Sequence, residues 1–141
     1  MNIYLVRHGE SKGNVNKKIH LTTADHAIPL SKKGEEEAEA AGYFLKKHFQ
    51  KHFQDRFCLS PSSYIRVWNS PYRRTRQTAK IIHEVMTETG SLQVDQREHL
   101  LLCEQQFGLF DGVPTRGLPV LYPNEYKHYQ KQEQNNGKFF L

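Results

Sequence analysis

Apolar and polar positions fall in distinct blocks along the chain. Ile3-Tyr4-Leu5-Val6 is a short apolar run that breaks into Arg7-His8-Gly9. An apolar run closed by a turn signal predicts a buried strand. Residues 16–29 are mixed and polar and predict loop. In the next block Ala38, Ala41, Leu45, Phe49 and Phe53 recur every three or four positions. That spacing makes one apolar stripe and predicts a helix from Lys32 to His52. Ser31 suits its N-cap. Glu35, Glu36 and Glu37 then sit at the positive end of the helix, and Lys46, Lys47 and Lys51 at the negative end.

Tyr64 to Trp68 is rich in strand formers and predicts a second strand. Ser70 as N-cap with Pro71 at the first helical position starts a further helix. It carries Ala79, Ile82, Val85 and Met86 on one face and stops at Gly90. A short third strand is expected at Leu92 to Val94. Beyond Gly112 the pattern fades into prolines and polar residues, with a polar helix expected over Asn124 to Glu133. Strand, helix, strand, helix, strand is the order of an α/β fold, mainly a parallel sheet with helices on both faces. The length of 141 residues fits one domain, 1–141. Parallel strands place their carboxyl ends on one edge, where ligands bind. The loops expected there carry Arg7 and His8, then Arg73 and Arg74, then Glu104.

Composition narrows the ligand. The formal net charge is +5, the pI is about 9.2 and the mean hydropathy is -0.75. A basic surface favours anionic partners. The basic residues are dispersed and form no nucleic-acid signature, so a phosphorylated small molecule or inorganic phosphate is expected and nucleic acid is not. No apolar run approaches the ~20 residues of a membrane span, and the first run is too short for a signal peptide. Cys58 and Cys103 read as reduced thiols, which points to a cytoplasmic protein with no membrane partner. A tandem Lys-His-Phe-Gln at residues 47–54 sets His48 and His52 four apart, a spacing that can clamp a metal. With no third ligand nearby, a solvated basic face is the better account.

Two arginine-bearing loops around one histidine suit a phosphoryl group. A neutral imidazole can attack phosphorus and form phosphohistidine. Guanidinium and backbone N–H groups can hold the equatorial oxygens of the transition state. Glu104 can protonate the leaving alkoxide.

These residues bring the chain to a family. Arg7-His8-Gly9-Glu10-Ser11 with Asn14 resembles the signature of the histidine phosphatase superfamily, the phosphoglycerate-mutase-like enzymes. Ser70-Pro71-Tyr72-Arg73-Arg74-Thr75-Arg76-Gln77-Thr78-Ala79 resembles its second motif. Glu104 followed by Phe107-Gly108 and Asp111-Gly112 is similar to its third. The resemblance implies that His8 is the phosphorylated nucleophile, with Arg7 and Arg74 as phosphate-binding arginines. It implies that Asn14 bonds the phosphate and Glu104 is the general acid. Glu10 and Ser11 then act through loop shape and capping, and Arg73 and Arg76 are surface charges. The family chemistry needs no metal and no cofactor.

One element of the pattern has no match. Family members carry a second histidine in a later His-Gly pair, and His128, among Lys127, Tyr129 and Gln130, does not fit it. The chain therefore reads as a family member cut short at Lys138-Phe139-Phe140-Leu141, with a sheet edge that invites pairing and leaves a homodimer open. Three functions follow, in this order: a phosphatase acting on phosphorylated small molecules or phosphoproteins through phosphohistidine; a catalytically impaired phosphate-binding pseudoenzyme; and a nucleic-acid module resting on the pI alone. Within the enzyme reading, hydrolysis stands ahead of phosphoglycerate mutase activity, because residues 113–141 carry no substrate-recognition motif.

Overall fold

A computed structural model of the protein describes residues 2–55 (side chains through residue 51), 64–104, 108–110 and 113–134. Cys58, Phe107, Asp111, Gly112, the 60–63 loop, the side chains of His52 and Phe53, and the Lys138–Leu141 end lie outside that set. The chain divides into two compact units, Met1–Cys103 and Glu104–Leu141.

The first unit holds helices α1 (Lys12–Val15), α2 (Lys32–Asp55) and α3 (Arg73–Thr87), and strands β1 (Ile65–Asn69) and β2 (Val94–Glu98). The stripe read from the sequence is what α2 buries. Ala38 is buried, and Ala41, Leu45 and Phe49 pack on a core of Ile82 and Met86 from α3 with Leu92 beyond it. Ile65 and Val94 close that core from the sheet. Ser31 caps α2 as expected. Its hydroxyl oxygen accepts the Gly34 N–H at 3.1 Å, and its carbonyl accepts the Glu35 N–H at 3.1 Å. β1 and β2 pair in parallel from Ile65 opposite Val94 to Asn69 opposite Glu98, with α3 as the crossover. The unit is thus α/β with a parallel pair, and its helices pack into one core with the sheet.

Several boundaries move. β1 runs one residue later than the apolar pattern implied. α3 starts at Arg73 with Tyr72 as N-cap, not at Ser70. Ser70 instead accepts the Tyr72 N–H at 3.3 Å, forming a turn that precedes the helix. β2 is Val94–Glu98 rather than Leu92–Val94, because Leu92 turns into the core while the polar run behind it takes the ladder. The turn that separates α3 from β2 ends at Gly90, whose φ of 66° is the left-handed region glycine tolerates.

The strand expected at Ile3–Val6 does not form. Leu5 is 96% exposed and Ile3 74%, and among the described residues β1 and β2 pair only with each other. A local apolar run sets β propensity but supplies no ladder partner. This segment instead lies along α2, where Tyr4 donates to or accepts from His48 Nε2 at 2.9 Å and meets Phe49 edge-on at 5.1 Å. Arg7 and His8 therefore follow irregular chain, not a paired strand.

The second unit is small. Phe110 and Leu118 are buried, and Val113, Tyr122, Tyr126 and Tyr129 pack against them. Helix α4 spans Leu118–Leu121 and α5 spans Pro123–Gln134, one residue beyond each end of the expected polar helix.

Candidate active site

The loop after Val6 is seated directly on the first turn of α2. A Cβ on Gly9 would lie 2.2 Å from the Gly34 carbonyl oxygen, and one on Gly34 would lie 2.0 Å from that of Glu10. Two glycines are what allow these backbones to touch. The contact is tied by side chains. The Glu10 N–H donates to Glu37 Oε2 at 2.9 Å, and Ser31 donates its N–H to the Glu10 carbonyl at 2.8 Å. The Ser31 hydroxyl donates to Glu10 Oε1 at 2.7 Å and holds this carboxyl below its usual range, aided by the Lys33 ammonium 3.5 Å from Oε2. Next along the chain, Ser11 caps α1 in a reciprocal box with Asn14. The Ser11 N–H donates to Asn14 Oδ1 at 2.8 Å, and Asn14 returns its N–H to Ser11 Oγ at 3.2 Å.

The other wall is the N-terminal half of α3. Arg74, Gln77 and Thr78 stand three and four residues apart, hence on one face. Thr78 Oγ1 accepts the Gly9 N–H at 3.2 Å and donates to the Arg74 carbonyl at 2.9 Å. Gln77 Oε1 accepts the Leu30 N–H at 2.9 Å. Arg74 is only 7% exposed. Its guanidinium carbon lies 4.9 Å from the centroid of the Tyr72 ring.

These two walls bring His8 and Arg74 together. Arg74 Nε lies 3.2 Å from His8 Nε2, and His8 Nδ1 lies 2.8 Å from the Gly9 carbonyl oxygen. An arginine nitrogen can only donate and a carbonyl oxygen can only accept. The pair of contacts therefore assigns one neutral tautomer, with the proton on Nδ1 and the lone pair on Nε2.

The rest of the guanidinium faces a residue the sequence did not single out. Arg74 Nη1 donates to Asp25 Oδ1 at 3.0 Å and to the Asp25 carbonyl at 2.9 Å, and Nη2 donates to Oδ2 at 3.1 Å. Asp25 opens a 3-10 turn, Asp25–Ala27, within the polar stretch between α1 and α2. The sequence carries no signal for this contact. Ile28 and Leu30, isolated apolar residues just beyond, are buried and pin that stretch to the core.

The other expected site residues are placed as follows. Arg7 is exposed and, among the described residues, makes no hydrogen bond or ion pair. Asn14 is exposed, with its carbonyl engaged in the α1 cap. Glu104 is exposed and opens the second unit. Arg76 pairs with Glu98, at 3.2 Å through Nη2, and Arg73 is exposed. His48 is engaged by Tyr4 and stacks on Phe44 with ring centroids 6.2 Å apart.

A phosphoglycerate mutase-like protein of Arabidopsis thaliana, AT74H, is 33% identical over 77% of this chain and 37% of its own length. The broad-range acid phosphatase DET1 of Saccharomyces cerevisiae is 32% identical over 72% of this chain and 37% of its own. A 2,3-bisphosphoglycerate-dependent phosphoglycerate mutase of Lactobacillus acidophilus is 25% identical over 89% of this chain and 47% of its own. The chain thus spans less than half the length of each of these relatives. The sequence profile of the histidine phosphatase superfamily, branch 1, matches residues 3–138. With a profile match along nearly the whole sequence and an Arg-His-Gly loop packed on a buried arginine, the chain belongs to the histidine phosphatase superfamily.

Proposed function

We propose that the chain carries the phosphoryl-transfer site of a phosphatase that hydrolyses phosphoric monoesters of small molecules through a phosphohistidine on His8. The observation that supports this most is the His8 tautomer. Its Nδ1–H is held by the Gly9 carbonyl, which leaves the Nε2 lone pair facing Arg74. Nucleophilic attack needs that lone pair. The fixed Nδ1–H then keeps the ring oriented as positive charge develops on it.

In the first step the Arg74 Nε–H releases Nε2, which bonds to phosphorus as the ester P–O bond breaks. The departing alkoxide takes a proton from Glu104. In the second step Glu104 takes a proton from water, whose oxygen displaces His8 and leaves inorganic phosphate. Arg7, Arg74 and Asn14 bind the phosphoryl oxygens and stabilise the charge of both transition states. The relative described as a broad-range acid phosphatase supports hydrolysis as the outcome. The relative described as a phosphoglycerate mutase supports phosphoryl transfer as the class of chemistry.

A second reading, a phosphate-binding protein without turnover, is favoured by one observation: the Arg74 fork is already filled by Asp25. Hydrolysis of an aryl phosphate separates the two. The chain is expected to turn over, and His8→Ala to lose at least about 10³-fold in kcat/KM, the scale for removing a nucleophile. Equal rates in the parent and in His8→Ala would overturn the proposal. Phosphate binding with no turnover would favour the second reading.

A further inference from the structure

We propose that Asp25 is a specificity-determining residue, an internal anion that occupies the Arg74 fork and is exchanged for the incoming phosphoryl dianion. The inference rests on the reading of His8 and Arg74 as a phosphate site and goes beyond it.

Every nitrogen of the Arg74 guanidinium already has a partner. Nε meets His8, Nη1 meets both the carbonyl and Oδ1 of Asp25, and Nη2 meets Oδ2. Two parallel N–H donors facing two carboxylate oxygens is the fork geometry that also matches a phosphate. A phosphoryl group cannot gain two bonds from Arg74 while Asp25 holds both. Binding at this arginine is therefore a displacement.

The pair is asymmetric in a way that permits exchange. The Arg74 side chain is 9% exposed and the Asp25 side chain 41%. The cation is fixed at the head of α3 and cannot follow. The carboxylate borders solvent and can rotate outward on its own side-chain torsions. Its turn need not unfold for this. The Asp25 carbonyl accepts the Ile28 N–H at 3.2 Å, and Ile28 is fully buried. A displaced carboxylate also has a neighbour outside the fork, since His20 Nδ1 lies 3.8 Å from Oδ1. In the unliganded protein Asp25 serves a second purpose, because a buried guanidinium without a counter-charge is strongly destabilising.

Exchange sets a threshold on the ligand. A monoanion replacing the carboxylate gains about what it displaces. A phosphoryl dianion brings twice the charge to Arg74 and Arg7 and gains the difference. The site is thereby selective for doubly charged phosphoryl groups over carboxylates and other single charges.

The test is calorimetric binding of inorganic phosphate and of acetate, at a pH where phosphate is dianionic, to the full chain and to Asp25→Asn. Asparagine keeps the shape and the backbone bond but removes the charge. The expected result is phosphate binding roughly three- to tenfold tighter in Asp25→Asn, the scale of one partly exposed ion pair. Acetate binding should also appear, and the ligand-free melting temperature should fall. Lower stability with tighter binding is what competition for the fork predicts, and the resonance shifts of Asp25 separate displacement from the mere loss of a nearby negative charge. Phosphate affinity unchanged or weakened in folded Asp25→Asn overturns the proposal. A second measurement needs no variant: in the parent chain, the Asp25 carboxyl carbon and Arg74 Nε resonances should shift together as phosphate is titrated. An unmoved Asp25 resonance at saturating phosphate overturns the proposal as well. If neither chain binds phosphate, the phosphate-site reading itself fails, which is distinct from both chains binding it equally.

Discussion

Gly9 donates its buried backbone N–H to the hydroxyl of Thr78 at 3.2 Å, across 69 positions of sequence. The residue that follows the candidate nucleophile is thus held by the helix that carries Arg74. One hydroxyl ties the two walls of the site together, because Thr78 also bonds the Arg74 carbonyl.

Replacing that hydroxyl should be felt directly. Thr78→Val keeps the shape and leaves the Gly9 N–H buried and unpaired, at a cost of about 1–3 kcal/mol. Thr78→Ser should recover most of it. Urea denaturation is the measurement, with the midpoint falling in the valine variant and the slope unchanged.

The glycine contact predicts a contrast between two similar substitutions. In Gly34→Ala the new methyl overlaps the Glu10 backbone at 2.0 Å. Neither backbone can yield without lifting the loop off α2, so the loss should reach about 3 kcal/mol or more. In Gly13→Ala the methyl meets the tip of the His20 ring at 2.8 Å, a side chain that can swing aside. The loss there should be smaller, offset in part by the better helix propensity of alanine. Thermal melts of the two variants measure the difference.

The elements were legible where periodicity carried them. Ala38, Ala41, Leu45 and Phe49 marked the buried face of α2, and Ser31 marked its start. β2 was misplaced because its residues, Val94-Asp95-Gln96-Arg97-Glu98, are almost all polar, while the apolar signal just before them belonged to a core contact. Ile3–Val6 read as a strand because β propensity is local and ladder pairing is not. For the site, the motif residues brought His8 and Arg74 into one expectation, and the fold sets them 3.2 Å apart. Asp25 was not legible. Its partner lies 49 residues away, and nothing local marks a carboxylate that a tertiary contact will use.

The Glu10 carboxyl carries a pH prediction. The Ser31 hydroxyl bond and the Lys33 charge lower its pKa in the folded protein. A depressed folded pKa contributes stability that is present above the unfolded value, about 4.3, and is lost as the pH falls through the folded one. Glu10→Gln has no such titration. The parent should therefore be the more stable of the two at neutral pH, and the gap should close steadily below about pH 4.3. Melting temperatures of both chains between neutral and acid pH test this. A gap that stays constant would show that the Ser31 contact does not favour the charged form.

Arg74→Lys tests the fork itself. A lysine keeps one positive charge but cannot reach His8 and both Asp25 oxygens in parallel. It should weaken phosphate binding by roughly tenfold or more, the scale of losing a bidentate, charge-assisted pair. Phosphate affinity is read by calorimetry, and a lysine variant that binds as well as the parent would remove the fork from the account.

The central claim is that His8 accepts the phosphoryl group, and trapping the intermediate tests it most directly. The chain is mixed with an aryl phosphate, quenched in base and digested, and the peptide bearing Arg7-His8-Gly9 is analysed by mass spectrometry. The account predicts one phosphoryl group on His8, stable in base, lost in acid and absent from His8→Ala. A phosphoryl group on any other residue, or turnover that persists undiminished in His8→Ala, would contradict it.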